Sequence, residues 1–218
     1  MRYQKGEITG LGGEKRVFED SRDPQKVIAE YRHGEFKQNA NQIKAQYYLG
    51  KILKILYPKN VPDIHAAGKT RKDTLLLEKI ARDSDHKFIQ ETIISEAEGK
   101  PLSPEQLKHR ERVTDTLEKK YRSRIPKLTI KLERAGIPVD SSHPLNFSLG
   151  PDHSLIYLDN TLPWNLNRHD RQIYWNIDVK KLEKAIVALP ETSREKATSL
   201  FNRLVRLYEE DKKSLSKL

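Results

Sequence analysis

The spacing of hydrophobic residues changes along this chain, and that change sets the fold class. In the first forty residues the apolar positions form short runs at Glu7-Ile8-Thr9, Arg16-Val17-Phe18-Glu19 and Lys26-Val27-Ile28-Ala29-Glu30-Tyr31. They are split by Gly10-Leu11-Gly12-Gly13 and by Asp20-Ser21-Arg22-Asp23-Pro24. β-Branched and aromatic runs divided by Gly and Asp-Pro signal hairpins, so three antiparallel strands are expected. From residue 40 the period becomes helical. Ala45, Tyr48, Leu49, Ile52, Leu53 and Leu56 fall at i, i+3, i+4, i+7, i+8 and i+11, one face of an α-helix. Asn39 or Asn41 is expected to cap it and Pro58 to stop it. Val61 to Ala67 and Thr74 to Ile80 read as two further strands around a polar turn at 68–73.

The second half is mostly helical. Ser103-Pro104-Glu105-Gln106 is a capping box with Pro at the first helical position. Leu107, Leu117 and Tyr121 give an apolar face to about Ile125, and Pro126 kinks or restarts the helix. Leu128, Leu132 and Ala135 continue it, and Gly136 closes it. Residues 143 to 160 revert to strand and loop. Helices follow at about 179–189, with Val179, Leu182, Ile186 and Leu189 inward, and at about 193–213, opened by a second box at Thr192-Ser193-Arg194-Glu195. The inward face of the last is Ala197, Leu200, Phe201, Leu204, Leu207 and Tyr208. Strands followed by helices indicate an α+β fold, with a sheet-rich lobe over 1–82 and a helical lobe over 83–218.

Composition removes several function classes. The longest apolar run, Ala185 to Leu189, has five residues, far below the ~20 that span a bilayer. The opening MRYQKGEITG has no apolar stretch after its Arg and Lys, so no secretory signal is read there. Cysteine is absent, which excludes disulfides, thiolate zinc sites and Cys nucleophiles. The expectation is a cytoplasmic protein without a membrane partner. The net charge of +10 makes it a basic protein, drawn to phosphate-rich partners such as nucleotides and nucleic acid. Lys and Glu alternate along the helices, however, and no basic stripe is interleaved with aromatics, so nucleic acid is a subsidiary expectation. The histidines at 65, 86, 109, 143, 153 and 169 lack the i, i+4 or His-x-His spacing of a transition-metal site. Trp164 and Trp175 read as core anchors of the helical lobe.

The segment His143-Pro144-Leu145-Asn146-Phe147-Ser148-Leu149-Gly150-Pro151-Asp152-His153-Ser154-Leu155-Ile156-Tyr157-Leu158-Asp159 carries the chemistry. A turn at Gly150-Pro151-Asp152-His153 folds it into a hairpin that brings Asn146 near Asp159. One amide oxygen and one carboxylate form a hard-oxygen site for Mg²⁺, which keeps few protein ligands and leaves the rest to water and phosphate.

On these residues the chain resembles the protein-kinase-like superfamily, nearest its small-molecule phosphotransferases of the aminoglycoside and choline type. His143, Pro144 and Asn146 match the His-Pro-x-Asn end of that family's catalytic loop, and the interval from Asn146 to Asp159 is its customary thirteen residues. Gly10, Gly12 and Gly13 between two strands look like the glycine-rich loop over nucleotide phosphates. The resemblance implies a two-lobed fold with a reduced helical lobe, ATP and Mg²⁺ as ligands, and Asn146 and Asp159 as the metal pair.

The departures bear on activity. Aligned on Asn146, the family's catalytic Asp falls on Ser141, and Asp140 stands one residue early. Asp159 is followed by Asn160-Thr161 instead of Phe-Gly, and Lys15 replaces the third glycine. The third-strand lysine is not evident: Ala29 and Glu30 hold the candidate positions, with Lys26 the nearest alternative. Gln46 occupies the place of the helix glutamate, and a neutral amide cannot form the ion pair that orients that lysine. Lys15 is the candidate replacement cation, Asp140 the candidate base, and His143 part of the same loop. The leading expectation is therefore a pseudokinase or interaction module with a weak or vestigial Mg-nucleotide site and an unidentified protein partner. The alternatives are an atypical ATP-dependent phosphotransferase using Asp140, and a nucleic-acid-associated protein on the same scaffold.

Overall fold

The computed structural model describes residues 3–12, 15–31, 40–68, 74–159, 164–167, 172–175 and 177–215, with backbone alone at 40, 164–167, 172–175 and 211–215. Strands β1 (Lys5–Leu11), β2 (Lys15–Asp20) and β3 (Lys26–Tyr31) pair antiparallel in succession, as their split runs require. Helix α1 (Ala40–Leu56) follows, and the chain returns as β4 (Ile64–Ala67) and β5 (Thr74–Glu78). β5 inserts beside β3, giving the sheet order β1-β2-β3-β5-β4. β5 ends at Glu78; one further bond in the same register, from Lys79 N–H to the Gln25 carbonyl at 2.8 Å, follows before the chain leaves for the helical half.

Helix α1 lies between two cores. Ile43 packs with Ala29, Tyr31, Ile64, Leu75 and Leu77 of the sheet. Ala45, Leu49, Ile52 and Leu53 pack instead with Leu117, Leu182, Phe201 and Leu204 of the helical half. Burying each such side chain contributes about 1.5–3 kcal/mol, so α1 joins the halves through apolar contact. Gly50 lets α1 approach β4: a Cβ there would stand 2.1 Å from Ile64 Cδ1. Asn41 is a residue of the helix and not its cap, and Asn39 lies outside the described residues.

The helical half opens with a helix that the apolar spacing does not announce, α2 (Ser84–Ala97). Its buried face is His86, Ile89 and Thr92, two of them polar, which hides the period. Asp83 caps it by accepting from His86 N–H at 3.0 Å. α3 (Pro104–Tyr121) begins on the expected capping box, Ser103 with Gln106. Its buried residues are Val113, Leu117 and Tyr121, while Leu107 in the first turn is exposed instead of inward. α4 (Ile125–Arg134) restarts with Pro126 in its first turn. Gly136 closes it at φ +78°, where a Cβ would also stand 2.3 Å from the Asp178 carbonyl oxygen, so both conformation and space demand glycine.

A single 3₁₀ turn (Pro144–Asn146) leads into the hairpin of β6 (Phe147–Leu149) and β7 (Leu155–Tyr157). A second hairpin, β8 (Trp164–Asn167) with β9 (Gln172–Trp175), sets Trp164 opposite Trp175; the packing expected of their rings lies outside the described side chains. α5 (Val179–Val187) buries Leu182 and Ile186. α6 (Glu191–Leu215) starts earlier than expected, because the Pro190 carbonyl takes the first i→i+4 bond, from Arg194 N–H at 2.8 Å. Thr192 to Glu195 therefore lie inside the first turn and form no capping box. α6 runs along α1, with Arg203 5.9 Å from the Tyr48 ring centre. Among the described residues no helix is long and apolar enough to cross a membrane.

Candidate functional site

The sheet and the helical half enclose a cleft of about 950 Å³. Its floor is the 140–159 segment, its roof β1 and β2, and its back wall the Leu77–Arg82 connection. The floor is fixed by hydrogen bonds from both halves. Leu158 N–H donates to the Asn146 carbonyl at 2.7 Å, which sets Asn146 beside Asp159 at the base of the hairpin. Tyr157 N–H donates to the Asn60 carbonyl at 2.8 Å, and Asn60 Nδ2 to the Leu155 carbonyl at 2.9 Å. Ser148 Oγ donates to the Ala81 carbonyl at 3.2 Å. His86, buried on α2, places Nε2 2.6 Å from the Phe147 carbonyl and Nδ1 3.1 Å from Asp83 Oδ1. Burial by itself pushes the Asp83 carboxyl up, but hydrogen bonds from Lys120 Nζ and from His86 overcome it and hold the group down at about 2.

Asp140 sits at the cleft edge, exposed, with its backbone N–H donating to the Tyr157 hydroxyl at 3.2 Å. Ser142 donates to Asp140 Oδ1 through N–H at 3.0 Å and Oγ at 2.5 Å. Asn146 Nδ2 donates to the Asp140 carbonyl at 3.1 Å, so the amide oxygen remains as its acceptor. Asp140, Ser142 and His143 line the cleft, whereas Ser141 does not. The register at the cavity therefore falls on Asp140 and not on Ser141.

The roof contributes Gly10, Gly12 and Lys15; Gly13 lies outside the described residues. Lys15 Nζ crosses to Asp159 Oδ1 at 2.9 Å. Leu11 N–H donates to Gln90 Oε1 of α2 at 3.1 Å. Seven sequence-selected residues, Gly10, Gly12, Lys15, Asp140, His143, Asn146 and Asp159, thus share one cavity.

No lysine enters it from β3. Lys26 is committed to Asp23 at 2.5 Å in the β2–β3 turn and does not line the cleft, which removes it as the missing third-strand cation. Ala29 is buried in the sheet core and Glu30 pairs with Lys5. Gln46 is buried on α1 and accepts from the Tyr31 hydroxyl, away from the cavity.

Sequence reading missed four cleft residues or supports: Arg82, Gln90, Ser142 and Tyr157. Arg82 and Gln90 went unseen with α2, whose signal was the capping Asp83. Tyr157 was visible as a strand residue two before Asp159, but its bond to the Asp140 backbone depends on tertiary contact.

Among the described residues no three His, Asp or Glu side chains gather to hold a metal. The Asn146 amide oxygen and the Asp159 carboxylate are hard-oxygen donors on two residues that line the same cavity. Two such donors would suit Mg²⁺ carried in on phosphate and would not suit an ion that needs a full protein cage.

No family model matches this chain, and no curated protein matches it. Among solved structures it is similar to WbdD, determined with the kinase inhibitor LY294002, at 15% identity and a TM-score of 0.33. That match covers 93% of this chain and 44% of the WbdD chain, so this chain spans less than half of it. It is also similar to the macrolide 2'-phosphotransferase MphH from Brachybacterium faecium, at 13% identity and a TM-score of 0.30, over 94% of this chain and 76% of that one.

Proposed function

We propose that the cleft between the lobes, residues 1–82 and 83–218, binds a magnesium–nucleotide, ATP in the first instance, and that the protein transfers its terminal phosphoryl group to an acceptor hydroxyl. The observation that carries this reading is the convergence of Asp140, Asn146, Asp159 and Lys15 on one cavity. Asn146 Oδ1 and Asp159 hold the metal. Magnesium, when bound, draws negative charge off the phosphates. Lys15, now on Asp159, turns to the phosphates and supplies the cation that β3 lacks. The backbone of Gly10 and Gly12 lies over them. At the back wall the Ile80 N–H and carbonyl take no backbone partner among the described residues and suit the edge of a base.

Asp140 accepts the proton of the attacking hydroxyl. Its Oδ1 is held by Ser142, which leaves Oδ2 to face the acceptor. General-base help of this kind is worth about 10²–10⁴-fold.

A second reading, a pseudokinase that binds nucleotide without turning it over, is favoured by Gln46. Its bond to the Tyr31 hydroxyl shows α1 serving packing at that position, with no lysine–glutamate pair to tune the phosphates. Calorimetric titration of ATP with and without Mg²⁺, on the parent and on Asp159→Ala, tests the site. Magnesium-dependent binding lost in the variant supports it; absence of binding at millimolar ATP rejects it. Turnover that falls at least a hundredfold in Asp140→Asn selects the enzyme, and binding without turnover selects the pseudokinase.

A further inference from the structure

One cation of the cleft has no part in this scheme. Arg82 ends the segment joining the lobes and directly precedes the cap of α2. Its guanidinium makes a single hydrogen bond among the described residues, from Nη1 to the Thr9 carbonyl at 3.2 Å. A Cβ at Gly10 would stand 3.6 Å from the same Nη1, so the group lies against the β1 backbone where residue 10 has no side chain to cover it. Burial pushes its pKa down, and among the described residues no carboxylate offsets that effect.

The other cations of the cavity differ. Lys15 meets Asp159 at 2.9 Å and Lys79 meets Glu19 at 2.6 Å, while Lys87 is exposed to water. The carboxylates of Glu7 and Glu91 also line the cavity, but both residues are exposed and neither pairs with Arg82. Arg82 is part-buried, and a cation drawn partly out of water without a counter-charge among the described residues is costly. A bond to one carbonyl does not account for it, since a neutral donor would serve there without burying charge. An arginine fork is the side chain best matched to a two-oxygen anion.

We propose that Arg82 is the core of an oxyanion subsite at the α2 end of the cleft, where it binds a carboxylate or phosphate group carried by the cleft's ligand. Two sources share that chemistry: an anionic group on the acceptor co-substrate, or a phosphate on the sugar of the nucleotide. The subsite rests on the reading of the cavity as a ligand site, and not on Asn146 and Asp159 holding a metal.

The full-length chain is compared with Arg82→Met and Arg82→Lys by calorimetry and thermal melting. In the first arm inorganic phosphate is titrated with MgATP present; binding that weakens at least tenfold in Arg82→Met and recovers in part in Arg82→Lys identifies the acceptor's anion. In the second arm AMP is compared with adenosine 3',5'-bisphosphate; a gain of at least tenfold from the extra phosphate, lost in Arg82→Met, identifies the sugar phosphate. The melting temperature of ligand-free Arg82→Met should equal or exceed the parent's, since an uncompensated charge is removed. The proposal is overturned if the parent favours neither anion, if Arg82→Met binds both as the parent does, or if Arg82→Met melts several degrees lower, which would make Arg82 structural. Should MgATP itself not bind, Arg82-dependent binding of phosphate alone upholds the subsite while the nucleotide reading fails.

Discussion

The two walls of the cleft are built differently. In the floor, Phe147 and Ser148 of β6 and all three residues of β7 are buried; their backbone is bonded to His86 of α2 and to Asn60, and the Ser148 hydroxyl to the Ala81 carbonyl. In the roof, Gly10 is the one buried residue of β1 and Asp20 the one buried residue of β2. The roof reaches the rest of the cleft through polar contacts such as Lys15 to Asp159, Leu11 to Gln90 and the Thr9 carbonyl to Arg82. Buried, mutually satisfied bonds fix a position, because each group left alone would cost its desolvation. Half-exposed ion pairs are worth little and yield readily to a competing ligand. The floor therefore sets geometry, and the roof can exchange its contacts for those of a ligand.

Mutations should separate the walls sharply. His86→Ala carries the largest expected effect. It empties a fully buried ring position and leaves the Phe147 carbonyl without its partner, so we expect a loss of about 3 kcal/mol in urea unfolding. A loss below about 1 kcal/mol would mean that the floor is not held as described. Asn60→Ala comes next. Its side chain joins the Leu155 carbonyl and Lys131 Nζ at 2.9 and 2.7 Å, and truncation should cost about 2 kcal/mol. Hydrogen exchange should then quicken in β7 before β1; the reverse order would erase the contrast.

The same contrast explains what the sequence discloses. The strands, α1 and the capped start of α3 were legible because they obey one period and carry local signals. So was the approach of Asn146 to Asp159, since a tight hairpin fixes it locally. Helix α2 was hidden because His86 and Thr92 occupy core positions, their polarity answered by groups distant in sequence such as the Phe147 carbonyl. Lys26 misled for a related reason: position in a strand does not reveal that Asp23 in the adjacent turn has already claimed it. The roof–floor pair of Lys15 and Asp159, 144 residues apart, is a product of tertiary folding alone.

Acid titration probes the floor with a smaller effect. The folded Asp83 carboxyl, held at about 2, lies below the ~3.9 of an unfolded Asp. The stability it contributes is complete above the unfolded value and is lost as pH falls through the folded one. The full linkage for such a gap approaches about 2.6 kcal/mol, but the side chain is 33% exposed, so we expect about 1 kcal/mol after screening. Unfolding free energies measured from pH 5 to 2 should decline less in Asp83→Asn than in the parent. Parallel curves would remove Asp83 from the account.

Lys15→Met should move stability least. The pair with Asp159 is part-exposed, 18% and 30% at its two side chains, and such pairs contribute about 0–1 kcal/mol. The methylene stem survives in methionine, so packing against the roof is kept. If Lys15 holds the roof shut, its loss should loosen β1 and β2 and raise ATP affinity by freeing Asp159. If it serves the phosphates, affinity should instead fall about tenfold, the worth of roughly 1.4 kcal/mol, with stability unchanged. We expect the second result, because a cleft that lacks a lysine from β3 has no other roof cation among the described residues to meet the nucleotide's charge. An unchanged affinity would detach the roof from binding altogether and leave the floor as the whole of the site.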